Sequence, residues 1–564
     1  MDERSRAEHP AWPLRAVLLA ALGAGFGLAF HLLTAGPEGW METDVPWRAA
    51  GGAFLAVSGL VFAFSLERGR GRWSAGFAAA AGLIAGFVVL WNGNPDHWGA
   101  GEGWQLFSAL LAVAIAVPLF QAWRDKGRRR PDPAIVHAHV WTNLILGGAA
   151  FAFVLSTMLL TLLLAELFHL IGIDVLRDLL DEGWFMWPLA CGALGGAVGL
   201  LRDRDQVLGT LQKVARAVLS VLAPALAFGL AGFVLALPFT GLQPLWDQTR
   251  ATTPILLACL VGAVILVNAV IGNDAEEEAR SRILRWAAVA LALVMPALAF
   301  VAAVSTGKRI GQYGLTPDRL WACVFVFAAA ALALAYLHAL VRGRAGWPEA
   351  LRRANIRVAA GLCLLALFLA LPIVSFGAIS TRDQLARLES GRTPPDRFDW
   401  AAMRFDFGPS GRRALERLAS SPNLLVRQRA REALRASDRW FAGAVEGVAP
   451  ERPPLKVEVD GGAAIPPALA DMIGRTASCR DEGCRLVFVE PKRAVLLRPG
   501  CGHCYYVFDA RPDGTWIQRY PASVLKATGP DAPPDAAARG RVEVRKVERQ
   551  QLFVDGRPVG EAFE

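Results

Sequence analysis

The sequence predicts an all-α transmembrane helical bundle of about 11 spans, with a C-terminal soluble extension of short helices followed by a small β-rich domain. Three observations carry this. Long apolar runs fill residues 13–379 of a 564-residue chain that is 54% hydrophobic. A nearly uncharged run of roughly 18 or more residues crosses about 30 Å of hydrocarbon as a helix and has no other stable home. Residues 380–564 then turn rich in Arg, Asp, Glu and Pro, and short alternating runs replace the long ones.

The expected spans are 13–35, 47–66, 73–92, 104–123, 141–171, 184–201, 217–237, 253–272, 286–305, 320–341 and 358–379. Arg4, Arg6 and Arg15 flank the first run, which is longer than the apolar core of a cleaved signal peptide. It reads as an uncleaved span, with residues 1–12 as a cytoplasmic tail. Loops assigned to the inner side hold 23 basic residues and the intervening loops hold 6, so the N-terminus is expected in the cytoplasm. An odd number of crossings then places the C-terminal domain in the periplasm. The Gly-rich segment 184–201 is the shortest span, and losing any one span would reverse the tail. Basic residues are 52 Arg against 7 Lys, a bias expected of a GC-rich bacterial genome, and the spans make the protein multi-pass. The formal charge of +9 implies no nucleic-acid partner, because much of it is loop arginine beside the bilayer.

Ionisable groups inside the spans are scarce. Glu166 and His169, three apart, share one helix face. With His31 they are candidates for an outward-facing polar pocket, near Asp96-His97 in an outer loop. The competing reading makes each an interfacial polar residue. His137 and His139 form an HxH without a paired carboxylate or cysteine nearby, which is weak ground for a metal. Gly82 with Gly86, and the run Gly192 to Gly199, predict close helix packing. The segment Lys308 to Arg319 reads as an outer loop ending in a helix start, with Thr316 as N-cap, Pro317 at the first helical position and Asp318 facing the positive helix end. Lys308, Arg309, Tyr313 and Arg319 form a candidate anion- or lipid-binding loop for a phosphate headgroup, against the alternative of ordinary solvated charges.

Arg309 to Arg319 followed by Leu320-Trp321, and Ala378 to Leu388 with Gly391 to Asp406, resemble the bacterial membrane-protein family known as domain of unknown function 4153. The resemblance covers roughly residues 10–440. It implies an integral inner-membrane protein with a C-terminal extension, and it brings no reaction, cofactor or catalytic residue. The cysteine-bearing tail is not part of the pattern.

Residues 380–450 read as a helical juxtamembrane segment. Ser410 is expected to cap a run through Leu415 and Leu418, Pro422 to break it, and Leu425, Val426, Ala430 and Leu434 to continue the helical period. Its thirteen arginines between Arg382 and Arg439 either meet anionic headgroups or form the solvated face of small helices. Pro450, Pro453 and Pro454 mark a linker, and residues 451–564 read as the small β-rich soluble domain. It carries four candidate structural cysteines, Cys479, Cys484, Cys501 and Cys504, spaced C-x4-C-x16-C-x2-C. In an oxidising compartment they form two disulfides, with three connectivities open. In the cytoplasm the same set would suit zinc, with His503 as a spare ligand. The Cys501-Gly-His-Cys504 motif also resembles a redox site, but that chemistry needs a helix N-terminus, and the following Tyr505-Tyr-Val-Phe favours a strand. Cys191, Cys259, Cys323 and Cys363 fall singly within spans as small apolar packers.

The sequence lacks a Gly-rich phosphate loop, an HExxH and a serine-nucleophile elbow, so no cofactor and no soluble-type catalysis are expected. The residues favour a non-enzymatic envelope anchor or sensor, with the lipid bilayer and a periplasmic or membrane protein as partners. The alternative is a permease or lipid-handling protein using the outer-face polar residues. The odd-span topology predicts that a reporter enzyme fused after Glu564 and active only outside the cytoplasm is active in whole cells, and that an equivalent cytosol-only reporter is silent.

Overall fold

Helices stand wherever the apolar runs were read. The computed structural model describes residues 12–36, 45–95, 98–126, 132–248, 251–436, 456–460, 464–476, 483–497, 505–511, 516–519, 550–554 and 557–563, with Arg439 and Cys479, and without Pro13 and Gly99. The chain divides into two units, residues 1–443 and 444–564.

In the first unit the helices are α1 (Arg15–Thr34), α2 (Pro46–Ser65), α3 (Gly71–Asn92), α4 (Ala100–Lys126), α5 (Pro133–His169), the short α6 (Val175–Asp181), α7 (Gly183–Arg202), α8 (Asp205–Thr240), the short α9 (Gln243–Gln248), α10 (Thr252–Ile271) and α11 (Arg282–Tyr313). Then come α12 (Pro317–Gly343) and α13 (Trp347–Ala370), separated by a tight turn at Arg344–Gly346 where Arg344 has φ +45°. Among the described residues, ten helical stretches are long and apolar enough to cross a membrane, the tenth being Pro317–Ala370. The turn at Arg344 divides that stretch into helices of 27 and 24 residues, which is why eleven apolar runs correspond to ten continuous stretches.

Local chemistry explains the boundaries. Asp132 caps α5 by accepting from the Ala134 N–H, and Thr316 caps α12 by accepting from that of Arg319, each followed by a proline in the first turn. Three boundaries differ from the sequence reading. Residues 308–313 are not loop but the last turns of α11, because nothing interrupts the helix before Gly314, whose φ of +78° ends it. The run 358–379 is not one helix. Pro372 stops α13 at Ala370, and α14 (Phe376–Glu389) starts afresh with Ser375 accepting from the Ala378 N–H. Ser410 is not an N-cap: it follows Pro409 inside the first turn of its helix, which begins at Gly408.

Packing within the bundle depends on small residues. A Cβ at Gly23 or Gly27 of α1 would collide with the backbone of Cys191 or Trp187 on α7, and a Cβ at Gly195 or Gly199 would collide with that of Leu19 or Ala16. The two backbones are in direct contact, as small-residue spacing in lipid allows. Gly82 and Gly86 of α3 meet the Phe54 and Ala50 carbonyls of α2 in the same way. The largest core lies among α8, α10, α11, α12 and α13, around Leu260, Leu291, Met295, Leu298 and Leu351. Large apolar side chains cover the outside, Phe239 being 90% exposed, as expected where the solvent is hydrocarbon.

Beyond the last spanning helix, α14, α15 (Trp400–Phe405), α16 (Gly408–Leu418) and α17 (Leu424–Arg435) form a small helical cap around Met403, Phe407, Leu415 and Ala430. Asn423 caps α17 from the side that Pro422 opens, and Val426 and Ala430 face inward.

The second unit contains a five-stranded sheet ordered β1 (Val457–Val459), β2 (Cys484–Glu490), β3 (Arg493–Leu497), β4 (Tyr505–Ala510), β5 (Trp516–Arg519). β1 and β2 are parallel, joined through α18 (Pro467–Thr476); the other pairs are antiparallel. Register places Leu486, Leu496 and Tyr506 side by side, with Phe488, Ala494 and Phe508 as the next row. Leu469 and Ile473 of α18 close that face. A hairpin of β6 (Gln550–Val554) and β7 (Arg557–Phe563) forms a separate two-stranded sheet.

Placing a leucine at Gly195 should prevent α1 and α7 from closing. The expected outcome is loss of monodisperse protein in detergent, or a melting temperature lowered by an amount equivalent to about 1–3 kcal/mol or more. Gly76→Ala, at a site with open space around it, should leave both unchanged.

Candidate functional site

The turn that joins α11 to α12 is gripped by α14. Gln384 Nε2 donates to the Tyr313 and Leu315 carbonyls, both at 3.0 Å, and the Leu315 N–H donates to Asp383 Oδ2 at 2.7 Å. Arg387 donates to the Ile310 carbonyl at 3.1 Å and to that of Gly311 at 3.0 Å, capping the C-terminal end of α11, while pairing with Asp383 at 3.5 Å. Gly314 lies directly beneath these three side chains, leaving no room for a Cβ.

The sequence-derived candidates take their places around this turn. Arg319 donates to the Tyr313 and Gly314 carbonyls at 3.2 and 2.7 Å and lies over the Tyr313 ring. Lys308 Nζ sits 3.5 Å from the Trp246 ring centre, on α9, and donates to Gln243. Arg309 lies in the last turns of α11. Arg319 and Lys308 therefore serve different partners.

His31 lies in the last turn of α1. Glu166 and His169 are exposed near the end of α5, and His169 Nδ1 is hydrogen-bonded to Asp174, the residue before α6. Among the described residues, no hydrogen bond or ion pair joins His31, Glu166 and His169 to one another. Asp96-His97, Cys501, His503 and Cys504 lie outside the described residues. Cys479 and Cys484 stand at disulfide distance, Cα atoms 5.3 Å apart. The described residues include no group of three or more His, Cys, Asp or Glu side chains placed to hold a metal ion.

The HxH pair separates, as residues two apart on a helix must. His139 Nε2 lies 3.0 Å from Asp125 Oδ2, whereas His137 Nε2 lies 3.1 Å from Asn355 Nδ2 inside the bundle. From there a polar chain runs inward: Asn355 Nδ2 to Asn268 Oδ1 at 2.8 Å, then Asn268 Nδ2 to the Tyr336 hydroxyl at 2.6 Å. Beside it Arg352, 2% exposed, donates to the Ile271 carbonyl at the end of α10 and pairs with Glu278 and Glu349.

A third cluster closes the end of α2. Its carbonyls at Phe64, Ser65 and Leu66 receive Gln121, Arg124 and Arg202 from α4 and α7. Glu67 takes Arg15 at 2.8 Å and Arg202 at 3.4 Å, and Asp203 takes Arg15 at 3.4 Å. In the turn after α10, Glu277 pairs with Arg216 and accepts the Asn273 N–H at 3.2 Å. Burial pushes its carboxyl up, but the hydrogen bond and charge of Arg216 outweigh this and hold it below its ordinary 4.5.

One cleft with both rings and polar groups is marked by no local pattern in the sequence. It is about 520 Å³, between the ends of α3, α4, α12 and α13 and the helical cap. Trp91, Trp321 and Phe376 supply rings, and Asn92, Glu102, Asp406 and Arg413 supply polar groups. Trp321 is held between Trp104 (centroids 5.6 Å) and Phe376 (5.0 Å). Asp406 pairs with Arg439; burial raises its carboxyl above the ordinary range, Arg439 opposes this, and Asp399 and Asp318 add to it.

A family model described as Domain of unknown function (DUF4153) matches residues 50–418. Neither a curated protein nor a solved structure matches the chain.

The depressed carboxyl of Glu277 contributes stability above its ordinary value and loses it as pH falls through the lower folded value. The melting temperature in detergent should therefore drop on acidification below about pH 4.5, and Glu277→Gln should start lower and flatten that part of the profile.

Proposed function

The chain belongs to the family described as Domain of unknown function (DUF4153), and from the way its helix ends are fastened together we propose a non-enzymatic role, in which the membrane bundle is an anchor for the material that follows it. In this reading the protein sits in a bacterial inner membrane with its N-terminus in the cytoplasm. Eleven crossings carry the helical cap and the five-stranded unit into the periplasm, where the latter meets a protein partner. One observation supports it above the others. Buried and half-buried guanidiniums fasten helix ends: Arg124 and Arg202 hold α2, Arg352 holds α10, and Arg387 holds α11. A transporter is expected to carry ionisable groups within its spans, along a substrate path. Here the guanidiniums stand at helix ends and bind one helix to another, which suits a scaffold.

A lipid-handling role is the second reading, and a groove of about 580 Å³ between α2, α4, α5 and α13 favours it. Val57, Phe64, Leu110, Pro118, Val140 and Leu144 make its lining almost wholly apolar, fit for an acyl chain.

Complementation of a knockout separates the two. The anchor reading expects truncation after Gly443 to abolish rescue while Glu166→Gln and Arg309→Ala, at equal protein level, restore it fully. Full rescue by the truncated chain, with loss in either point variant, would overturn it in favour of handling a lipid or other substrate.

A further inference from the structure

We propose that the cleft between the bundle ends and the helical cap binds the hydroxylated ring of a sugar. Two buried donors carry the argument. Trp321 is 4% exposed, and its Nε1–H has no acceptor among the described residues. Asn92 Nδ2 is likewise buried without one. Both side chains line the cleft. A buried N–H without an acceptor is destabilising, and such groups persist where something else completes them.

The rest of the lining narrows the chemistry. Glu102 and Asp406 bring carboxylates that accept hydrogen bonds, Asp406 being already paired with Arg439, and Arg413 adds a guanidinium. An anion such as phosphate would meet Arg413 but also face the charge of Glu102 and offer nothing to donate to Asp406. An alkylammonium would suit the carboxylates and the rings, yet leave both donors unmatched. An acyl chain would leave both donors unmatched. A sugar ring fits all of them. Its oxygens accept from Trp321 and Asn92, its hydroxyls donate to Glu102 and Asp406, and its C–H faces lie against Trp91 or Phe376. The volume of about 520 Å³ falls within the range of ligand pockets and admits one or two rings.

The same ring could belong to a free saccharide or to a glycolipid headgroup. The test uses the full chain in lipid nanodiscs. One arm titrates methyl glycosides of glucose, galactose, mannose and N-acetylglucosamine into plain nanodiscs, followed by saturation-transfer NMR. The other arm offers monoglucosyl- and diglucosyl-diacylglycerol in the nanodisc, and reads retention of these lipids after detergent exchange. Saturable binding in the first arm indicates a soluble sugar; binding in the second arm alone indicates the headgroup. In either arm Trp321→Phe, which keeps the ring and removes the donor, should weaken binding about tenfold, and Asn92→Ala should do the same, with melting temperatures within about 2 °C of the parent. A variant that melts lower is replaced by Glu102→Gln, which keeps the shape and removes the charge and should weaken binding to a similar degree. No saturable binding in either arm, or binding that the variants leave unchanged, would overturn the proposal. Displacement of bound sugar by inorganic phosphate or by tetramethylammonium at equal concentration would overturn it too.

Discussion

Guanidinium groups seated on the carbonyl ends of helices hold the membrane unit together. The last four carbonyls of any helix lack an intrahelical partner and carry its partial negative charge, and near hydrocarbon little water is present to satisfy them. An arginine offers five donors in a planar fork and can serve two carbonyls at once. Arg202 does so at Phe64 and Leu66, and Arg387 at Ile310 and Gly311. Because burying a lone charge costs several kcal/mol, most of these arginines also have a carboxylate: Glu67 for Arg202, Asp125 for Arg124, Glu278 for Arg352, Asp383 for Arg387. The donors come from elements remote in sequence, so each contact ties together helices that no short loop connects.

This arrangement explains which features the sequence made legible. Spans could be read because a long apolar run is a local signal. The glycine faces of α3 and α7 could be read because small-residue spacing is local too, as could the Thr316 cap. Hydropathy marks where lipid lies, not where a helix stops. Hence α11 continues six residues past Gly307 to Tyr313, and the apolar run around Pro372 conceals a break. The partner of Arg387 and the cleft at Trp321 could not be read, because residues such as Asn92, Trp321 and Asp406 meet only through tertiary folding. The two stretches that carry the family resemblance, Arg309 to Trp321 and Ala378 to Leu388, are the two sides of one contact. The first supplies the turn around Gly314 and the second supplies the side chains that hold it.

In the C-terminal unit the alternating runs of β2 to β5 were legible, whereas β1 and α18 were not. A three-residue strand has too little pattern, and its pairing with β2 is a parallel one made through an intervening helix. Cys479 and Cys484 stand at the end of that crossover, where it enters β2, and both are buried in the core formed by α18 and the sheet.

The backbone contact between α1 and α7 has a consequence for how the chain is built. Four spanning helices are synthesised between these two, so α1 enters the bilayer long before its glycine face has anything to close against. Until α7 emerges, α1 has α2 to pack against, through Gly51, Gly52 and Gly59, while its own glycine face stays open to lipid. Closure of that glycine face is therefore a late event, set by the arrival of the sixth membrane segment, even though α1, α2 and α3 can already pack together.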